Sequence, residues 1–233
     1  MSAERPDQDL PATDDARTGI EPRWPVALVI AGFIAITLTL RVLEPERESL
    51  GPHWLVPGLE IAMFGALLAA DPAHLKERRR WLRRLSLALV MALGAVGMVS
   101  TAVLVNDLVT GSKVTQSASS LLASGAIIWL GNSMIFSLVY WLLDSGGPAA
   151  RYFEPRPYPD FAFTQQLSPE YAPPGWRPMY VDYLVLGLST SMAFSPTDVM
   201  PMVPWAKLTM TLQSLISLTV IALVIARAVN AFA

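Results

Sequence analysis

Five long apolar runs divide this chain, and their length constrains its fold more than any other feature. They span residues 24–43, 53–70, 85–105, 120–143 and 205–232. A helix rises about 1.5 Å per residue, so roughly 20 apolar residues cross a hydrocarbon core of about 30 Å. With 53% hydrophobic and only 15% charged residues, the chain is predicted to be an all-α polytopic membrane protein that lies in the lipid bilayer.

A sixth segment, residues 179–195, is apolar at first and then rich in Ser and Thr. It could cross the bilayer as a sixth transmembrane helix. It could instead be a re-entrant pore loop, which enters and leaves the membrane on one side. The sequence therefore predicts six transmembrane helices, or five transmembrane helices plus a re-entrant loop.

Basic residues set the expected orientation. The loop at 71–84 carries six lysines and arginines, whereas the segment 106–118 carries only Lys113. Because short basic loops stay in the cytoplasm, residues 71–84 are predicted inside, 106–118 outside and 144–178 inside. With residues 179–200 as a full crossing, both termini are then cytoplasmic. The predicted location is the cell (inner) membrane, with multi-pass topology.

The chain divides into four predicted parts. Residues 1–23 are polar and acidic and are predicted to be a disordered cytoplasmic tail. Residues 24–143 form a four-helix transmembrane region, and residues 144–178 form a cytoplasmic loop rich in Pro and aromatic residues. This loop is expected to pack on the membrane face, either as a lid or as an inert connector. Residues 179–233 form a C-terminal helix pair.

Several function classes are excluded by composition. The net charge of −2 provides no basic field for nucleic acid. The chain has no cysteine, which excludes disulfides and thiol chemistry. Its two histidines, His53 and His74, lie near predicted helix ends and do not form a metal site or a nucleophile–base pair by themselves. We therefore expect no enzyme activity, no cofactor and no metal.

Charged and strongly polar side chains fall within the apolar segments. They include the charged residues Glu60, Asp182 and Arg227. A charged group at mid-bilayer costs roughly 2.5–3.5 kcal/mol on insertion scales, so each is a functional candidate. Glu60 either pairs with a polar group of another span or titrates as part of an ion or proton path. Asn132 and Ser133 are expected to be hydrogen-bond partners between helices.

Uncharged polar residues form a stripe on the last span. On an ideal helix, Thr209, Gln213 and Ser217 fall within an arc of about 80°, while apolar side chains cover the rest. Such a stripe lines either a helix–helix interface or a wet pathway.

The C-terminal part carries an ordered set of motif residues. A hydroxyl-rich run is followed by an Asp, an apolar residue, a Pro, a basic residue and a Leu-Gln pair: Ser189, Thr190, Ser191, Asp198, Val199, Pro201, Lys207, Leu212 and Gln213. In these residues the chain resembles the pore segment and inner helix of bacterial two-transmembrane-helix potassium channels. The resemblance covers residues 180–230 and implies an ion-channel-like helix pair at 179–233.

The stretch "AFSPTD" stands where that family has a Thr-rich filter with a Gly-Tyr-Gly core. Potassium filters aim successive backbone carbonyls at the ion, and glycine permits the backbone angles that this requires. Pro196 fixes its own φ, so a potassium-selective filter is not predicted. The whole chain also resembles bacterial multi-pass proteins with an ion-channel-like C-terminus, whose function is uncharacterised.

The resemblance implies that monovalent cations pass through a homo-oligomeric pore lined by the C-terminal helices. The expected path residues are Ser189, Thr190, Ser191, Ser195, Thr197, Asp198, Thr209, Gln213 and Ser217. At the outer mouth, Asp198 either forms a ring of carboxylates or caps the last helix. Two alternatives stay open: a secondary transporter or proton-coupled carrier centred on Glu60, and a structural or regulatory membrane protein without transport.

Overall fold

The computed structural model is mostly helical, and it describes residues 24–43, 118–153, 156–193 and 198–232 together with scattered positions between 58 and 106. Its helices are α1 (Trp24–Leu43), α2 (Ala118–Leu143), α3 (Pro148–Phe153), α4 (Thr164–Leu167), α5 (Tyr180–Ala193) and α6 (Pro204–Phe232). Its strands are β1 (Phe161–Phe163) and β2 (Val199–Pro201), and 3-10 turns occupy Asp144–Gly146 and Pro169–Tyr171. The tail at 1–23 and most of the predicted spans 53–70 and 85–105 lie outside the described residues.

Two helical stretches are long and apolar enough to cross a bilayer. They are Leu122–Gly146 and Pro204–Val229, with mean hydropathies of 1.7 and 2.1. In α1, the stretch Trp24–Ala35 is apolar but shorter. The described residues therefore support a helical chain with two candidate spans and do not support the six-helix count predicted from the sequence.

The long helix α6 leaves much of its apolar surface uncovered. Leu208 is 71% exposed, Leu215 57% and Val229 62%. Monomeric soluble proteins rarely expose a contiguous apolar face along a whole helix. This surface suits contact with lipid or with another protein chain better than contact with water.

The other face of α6 packs on α2 and α5. Its buried positions follow the three- and four-residue spacing of one helix face: Ala206, Met210, Gln213, Ser217, Val220, Val224 and Ala228. Among α2, α5 and α6, close approach depends on glycine at two places. A Cβ added at Gly187 of α5 would lie 2.7 Å from the Ser133 carbonyl oxygen, and one added at Gly125 of α2 would lie 2.6 Å from Val224.

Helix α2 ends in a sharp reversal. Ser145, Gly146 and Gly147 have φ values of 51°, 88° and 95°, in the left-handed region that stops a helix. Of these three residues, Ser145 alone lacks the conformational freedom of glycine, and two hydrogen bonds hold it in the left-handed conformation. Its backbone N–H donates to Asp160 Oδ2 at 3.0 Å, and its hydroxyl donates to Asp144 Oδ1 at 2.9 Å.

Strands β1 and β2 form an antiparallel ladder, in which Phe161 pairs with Pro201, Ala162 with Met200 and Phe163 with Val199. β1 lies in the loop between α2 and α5, and β2 lies between α5 and α6. This small sheet is an addition to the all-α fold that the sequence predicts.

The ladder lies where α2 ends and α6 begins. The Phe161 ring is 5.2 Å from the Tyr140 ring of α2 and 5.5 Å from the Trp205 ring of α6. Helix α5 also starts here, because the Tyr180 ring is 5.7 Å from the Trp141 ring. The chain therefore enters α5 and returns from it at the same end of the bundle.

This arrangement bears on two placements made from the sequence. A full crossing by residues 179–195 puts the loop 144–178 inside the cell and Asp198 at the outer mouth. The β1–β2 hydrogen bonds hold these two parts of the chain side by side, so the two placements exclude each other. A hydrogen-bonded ladder cannot have its strands on opposite faces of a bilayer.

Candidate functional site

The Gln213 side chain links three helices inside the bundle. Its Nε2 donates to the Gly187 carbonyl oxygen and to Ser191 Oγ of α5, both at 2.7 Å. Its Oε1 accepts a 2.6 Å hydrogen bond from the Tyr140 hydroxyl of α2. Gln213 itself belongs to α6 and is fully buried. One carboxamide therefore fixes the positions of α2, α5 and α6 relative to one another.

The chain of hydrogen bonds continues to α2. The Ser133 and Ser191 hydroxyls share a hydrogen bond of 2.8 Å, and Ser133 Oγ also donates to the Trp129 carbonyl oxygen at 2.9 Å. A hydroxyl has one hydrogen, so all contacts are satisfied when Ser191 donates to Ser133. The expectation that Ser133 bonds between helices is confirmed.

The polar stripe of α6 faces this network. Gln213 and Ser217 are buried among the helices, and the Thr209 hydroxyl donates to the Trp205 carbonyl oxygen of its own helix at 2.7 Å. Of the two interpretations of the stripe, a helix–helix interface describes Gln213 in this structure. A satisfied buried network of this kind holds its members rigidly, because the interior offers no competing water.

Some buried polar groups of the helix bundle make no hydrogen bond within the described part of the chain. They are Thr190 Oγ1, Ser217 Oγ, Ser124 Oγ and Asn132 Nδ2. Thr190 lies in the last turns of α5, and Ser217 lies one turn of α6 beyond Gln213. The expected interhelical bond of Asn132 is therefore not seen for its amide nitrogen.

A groove of about 230 Å³ lies between α5 and α6 at the same level. Hydroxyl-bearing and apolar side chains line it in equal number: Thr190, Thr211, Ser214, Met210, Leu215 and Leu218. The Ser214 hydroxyl of α6 donates to the Thr190 carbonyl oxygen of α5 at 3.3 Å, which joins the two helices beside this groove.

A second polar cluster lies at the end of α2, around Asp144. This carboxylate is 1% exposed. Its Oδ1 accepts hydrogen bonds from Ser145 Oγ at 2.9 Å, from the Asp160 N–H at 3.2 Å and from the Phe161 N–H at 3.3 Å. Its Oδ2 accepts a hydrogen bond from the Tyr183 hydroxyl of α5.

Arg151 of α3 supplies positive charge to this cluster. Its Nη1 donates to the carbonyl oxygens of Trp141 at 2.8 Å and Asp144 at 3.0 Å. Its guanidinium carbon lies 4.9 Å from the centre of the Tyr183 ring, within the range of a cation–π interaction. Arg151 therefore satisfies two carbonyl groups at the C-terminal end of α2 and holds the Tyr183 ring beside Asp144.

Asp198 immediately precedes β2 and is exposed. Its carbonyl oxygen accepts hydrogen bonds from the Thr164 N–H at 3.1 Å and from Thr164 Oγ1 at 2.7 Å. Helix α6 begins only at Pro204, so Asp198 is too early in the chain to be its N-cap. The capping role considered for Asp198 does not fit this position.

The remaining candidates are separated in the structure. The Ser189 hydroxyl donates to the Leu186 carbonyl oxygen of its own helix at 3.1 Å. Asp182 Oδ2 accepts a 2.7 Å hydrogen bond from the Met179 N–H at the start of α5, which is a capping role. Arg227 is half-buried near the opposite end of α6. Glu60, Ser195 and Thr197 lie outside the described residues.

Sequence reasoning missed four residues that carry much of the geometry: Tyr140, Asp144, Gly187 and Tyr183. Only Asp144 had a recognisable signal, because it follows an apolar run and precedes Ser-Gly-Gly, which is typical of a helix end. Tyr140 and Tyr183 look like ordinary interfacial aromatics until their partners are known.

Comparison with known proteins finds no matching family model, no matching curated protein and no matching solved structure. Among the described residues, no group of three or more His, Asp or Glu side chains could hold a metal ion. Function therefore has to be inferred from the geometry of the helices and their polar contacts.

Proposed function

We propose that this chain is an ion-channel-like membrane protein in which α5 is a re-entrant helix rather than a crossing one. Five crossings and this re-entrant helix then replace the six-helix count. The observation that supports the proposal is the β1–β2 ladder, which returns the chain from α5 to the end of the bundle where α5 began.

The length of α5 fits this role. It has 14 residues and is about 21 Å long at 1.5 Å per residue, which is short for a bilayer span. Its C-terminal turn contacts Gln213, and Gln213 is nine residues after the start of α6. At the same rise, that contact lies about 14 Å along α6, near the middle of a hydrocarbon core of about 30 Å.

A helix that ends at mid-membrane directs its carbonyl end toward the centre of the bilayer. That end carries a partial charge of about −0.5 from the aligned peptide dipoles, and such half-helix ends attract cations in membrane transport proteins. The electrostatics of α5 therefore favour cations over anions. Potassium selectivity is not part of the proposal, because the chain lacks the glycine run that a carbonyl filter needs.

The expected path residues acquire different roles in this arrangement. Ser191 and Gln213 use their hydrogen bonds to hold α5 in place, so we assign them a positioning role. The carbonyl end of α5, the hydroxyl of Thr190 and the exposed carboxylate of Asp198 are the groups that we propose act on the ion. An oligomeric pore, formed where several copies bring these groups together, completes the proposal.

The proposed topology also changes the orientation. If the basic loop at 71–84 is cytoplasmic, the loop 144–178 and Asp198 both lie at the cytoplasmic face. The single crossing by α6 then carries the C-terminus to the outside, while the N-terminus stays inside. The proposed location is the cell (inner) membrane, with multi-pass topology.

A membrane protein without transport is the second candidate. The observation that favours it is the closed network around Gln213, in which the carboxamide already bonds to three groups of the chain. A proton-coupled carrier centred on Glu60 has no such support, because Glu60 lies outside the described residues.

Ion flux in reconstituted liposomes tests the proposal. The purified protein is placed in vesicles, and K⁺, Na⁺ and Cl⁻ movements are followed separately with ion-sensitive dyes. We expect cation flux well above that of protein-free vesicles and little Cl⁻ flux. The Thr219→Ala variant is a suitable control, because this exposed side chain bonds only to the Leu215 carbonyl oxygen of its own helix. Absence of cation flux at both acidic and neutral pH would leave the non-transporting candidate.

A further inference from the structure

The Asp144 carboxylate bonds both to the first turn of α5 and to the start of β1. On one side it accepts the Tyr183 hydroxyl, which belongs to the first turns of α5. On the other side it accepts hydrogen bonds from the N–H groups of Phe161, the first residue of β1, and of Asp160 just before it. The Phe163 ring of β1 also packs on the Tyr183 ring, with 5.3 Å between their centres.

Strand β1 in turn fixes β2, the segment to which the chain returns after α5. The ladder pairs Ala162 with Met200, and the Met202 N–H donates to the Asp160 carbonyl oxygen at 2.9 Å. Thr164 adds two hydrogen bonds to the Asp198 carbonyl oxygen. Asp144 therefore lies at the junction of two sets of contacts, one holding α5 and the other holding β1 and β2.

We propose that Asp144 is a positioning residue that couples the loop 144–178 to both α5 and β2. Through Tyr183 it holds the start of α5, and through Asp160 and Phe161 it holds β1 and thereby β2. The loop is then the part of the chain that sets the geometry of the re-entrant helix. The coupling itself does not depend on the proposed function. Only its consequence, that the loop controls the ion path, rests on that function.

The chemistry of the side chain explains why a carboxylate occupies this position. An ionised carboxylate only accepts hydrogen bonds, and Asp144 faces four donors. An alanine here leaves those donors buried without a partner, which costs more than the loss of an exposed contact. An asparagine keeps one acceptor oxygen for the amides, and its NH₂ group can donate to the Tyr183 hydroxyl oxygen.

Disulfide formation between paired cysteines measures the two couplings separately. The chain has no cysteine of its own, so each introduced pair is the only source of thiols. The helix pair, Ser133→Cys with Ser191→Cys, reports the position of α5, because the native hydroxyls are 2.8 Å apart. The ladder pair, Ala162→Cys with Met200→Cys, reports the sheet, because these residues are register partners. Oxidation rates are compared in detergent for the full-length protein.

We expect Asp144→Ala to slow both disulfides about tenfold, the size of effect that one buried hydrogen bond can produce. Tyr183→Phe should slow disulfide formation in the helix pair alone. Asp144→Asn should keep both rates near those of the parent, and so should Tyr158→Phe, whose side chain in the same loop is 85% exposed. A general loss of stability would affect disulfide formation in both pairs, so it would not produce the selective effect expected of Tyr183→Phe.

The proposal is overturned if Asp144→Ala leaves either rate unchanged in protein that elutes as a monodisperse peak. If Asp144→Ala does not fold, Tyr183→Phe decides instead: an unchanged oxidation rate for the helix pair overturns the coupling. Cation flux is recorded separately in liposomes, on the cysteine-free parent and on Asp144→Ala without the introduced cysteines. If the parent conducts no cations, the proposed function fails, while the two disulfide rates still decide whether Asp144 couples the loop to α5.

Discussion

The hydroxyl of Tyr140 donates a 2.6 Å hydrogen bond to Oε1 of Gln213, although the two residues are 73 positions apart in the chain. The bond joins the last turn of α2 to α6 and fixes which amide atom of Gln213 faces α5. With Oε1 held by Tyr140, Nε2 is directed to Gly187 and Ser191. The Tyr140 hydroxyl therefore determines how the side-chain amide of Gln213 is oriented, and with it the other hydrogen bonds of the network.

Tyr140→Phe should destabilise the protein by about 1–3 kcal/mol, because Gln213 Oε1 is left buried without a donor. The measurement is denaturant unfolding in detergent, followed by tryptophan fluorescence. Tyr158→Phe removes an exposed hydroxyl from the same chain and should change the free energy of unfolding very little. Equal free energies for the two variants would show that the Tyr140 bond does not stabilise the bundle.

Gly187→Ala should also be destabilising, by about 1–3 kcal/mol, through overpacking. The added Cβ would lie 2.7 Å from the Ser133 carbonyl oxygen, whereas one added at Gly32 of α1 would meet nothing within 4 Å. Gly32→Ala is therefore the matched control, and it should unfold at the same or a higher temperature than the parent. If Gly187→Ala unfolds together with Gly32→Ala, α2 and α5 are not as close as the structure has them.

Membrane sidedness distinguishes the re-entrant helix from a full crossing. Single cysteines at Tyr158 and Met200, which are 85% and 60% exposed, should react with an impermeant maleimide from the same side of the membrane. A cysteine at Ala233 should react from the opposite side. Cysteines at Ala73 and Ser112 serve as markers for the inside and the outside. Labelling of Tyr158→Cys and Met200→Cys from opposite sides would contradict the re-entrant topology.

The carboxylate of Asp198 tests the proposed cation path. Asp198→Asn should lower cation flux, and the loss should be largest at low salt, since screening acts over about 8 Å at physiological ionic strength. Glu170→Gln removes an exposed charge from the loop that carries β1 and should change the flux less. Flux through Asp198→Asn that equals the parent's at low salt would exclude a role for this charge in attracting cations.

The two long helices could be predicted closely from hydrophobicity alone. The predicted spans 120–143 and 205–232 correspond to Ala118–Leu143 and Pro204–Phe232. Their ends are marked by sharp changes in composition: the Asp-Ser-Gly-Gly run ends α2, and Pro204 begins α6. Such boundaries depend on local sequence, which is why pattern reasoning finds them.

The sheet and the polar contacts could not be predicted in the same way. Strands of three residues have no periodicity to detect, and β1 and β2 exist because each supplies the partner for the other. The sequence shows the polar stripe of α6, but its pattern fits an interface and a pathway equally well. Only the positions of Tyr140 and Ser191 decide that Gln213 faces other helices.

The β1–β2 ladder also has a consequence for biosynthesis. Strand β2, the partner of β1, is synthesised after α5, since Val199–Pro201 follows α5 in the chain. During translation, α5 therefore emerges before the strand that completes its anchorage exists. A ribosome stalled before Val199 would hold a chain in which β1 has an unpaired edge and α5 is too short to remain as a stable span. We expect stable membrane integration of α5 to be a late event that follows synthesis of β2 and the start of α6.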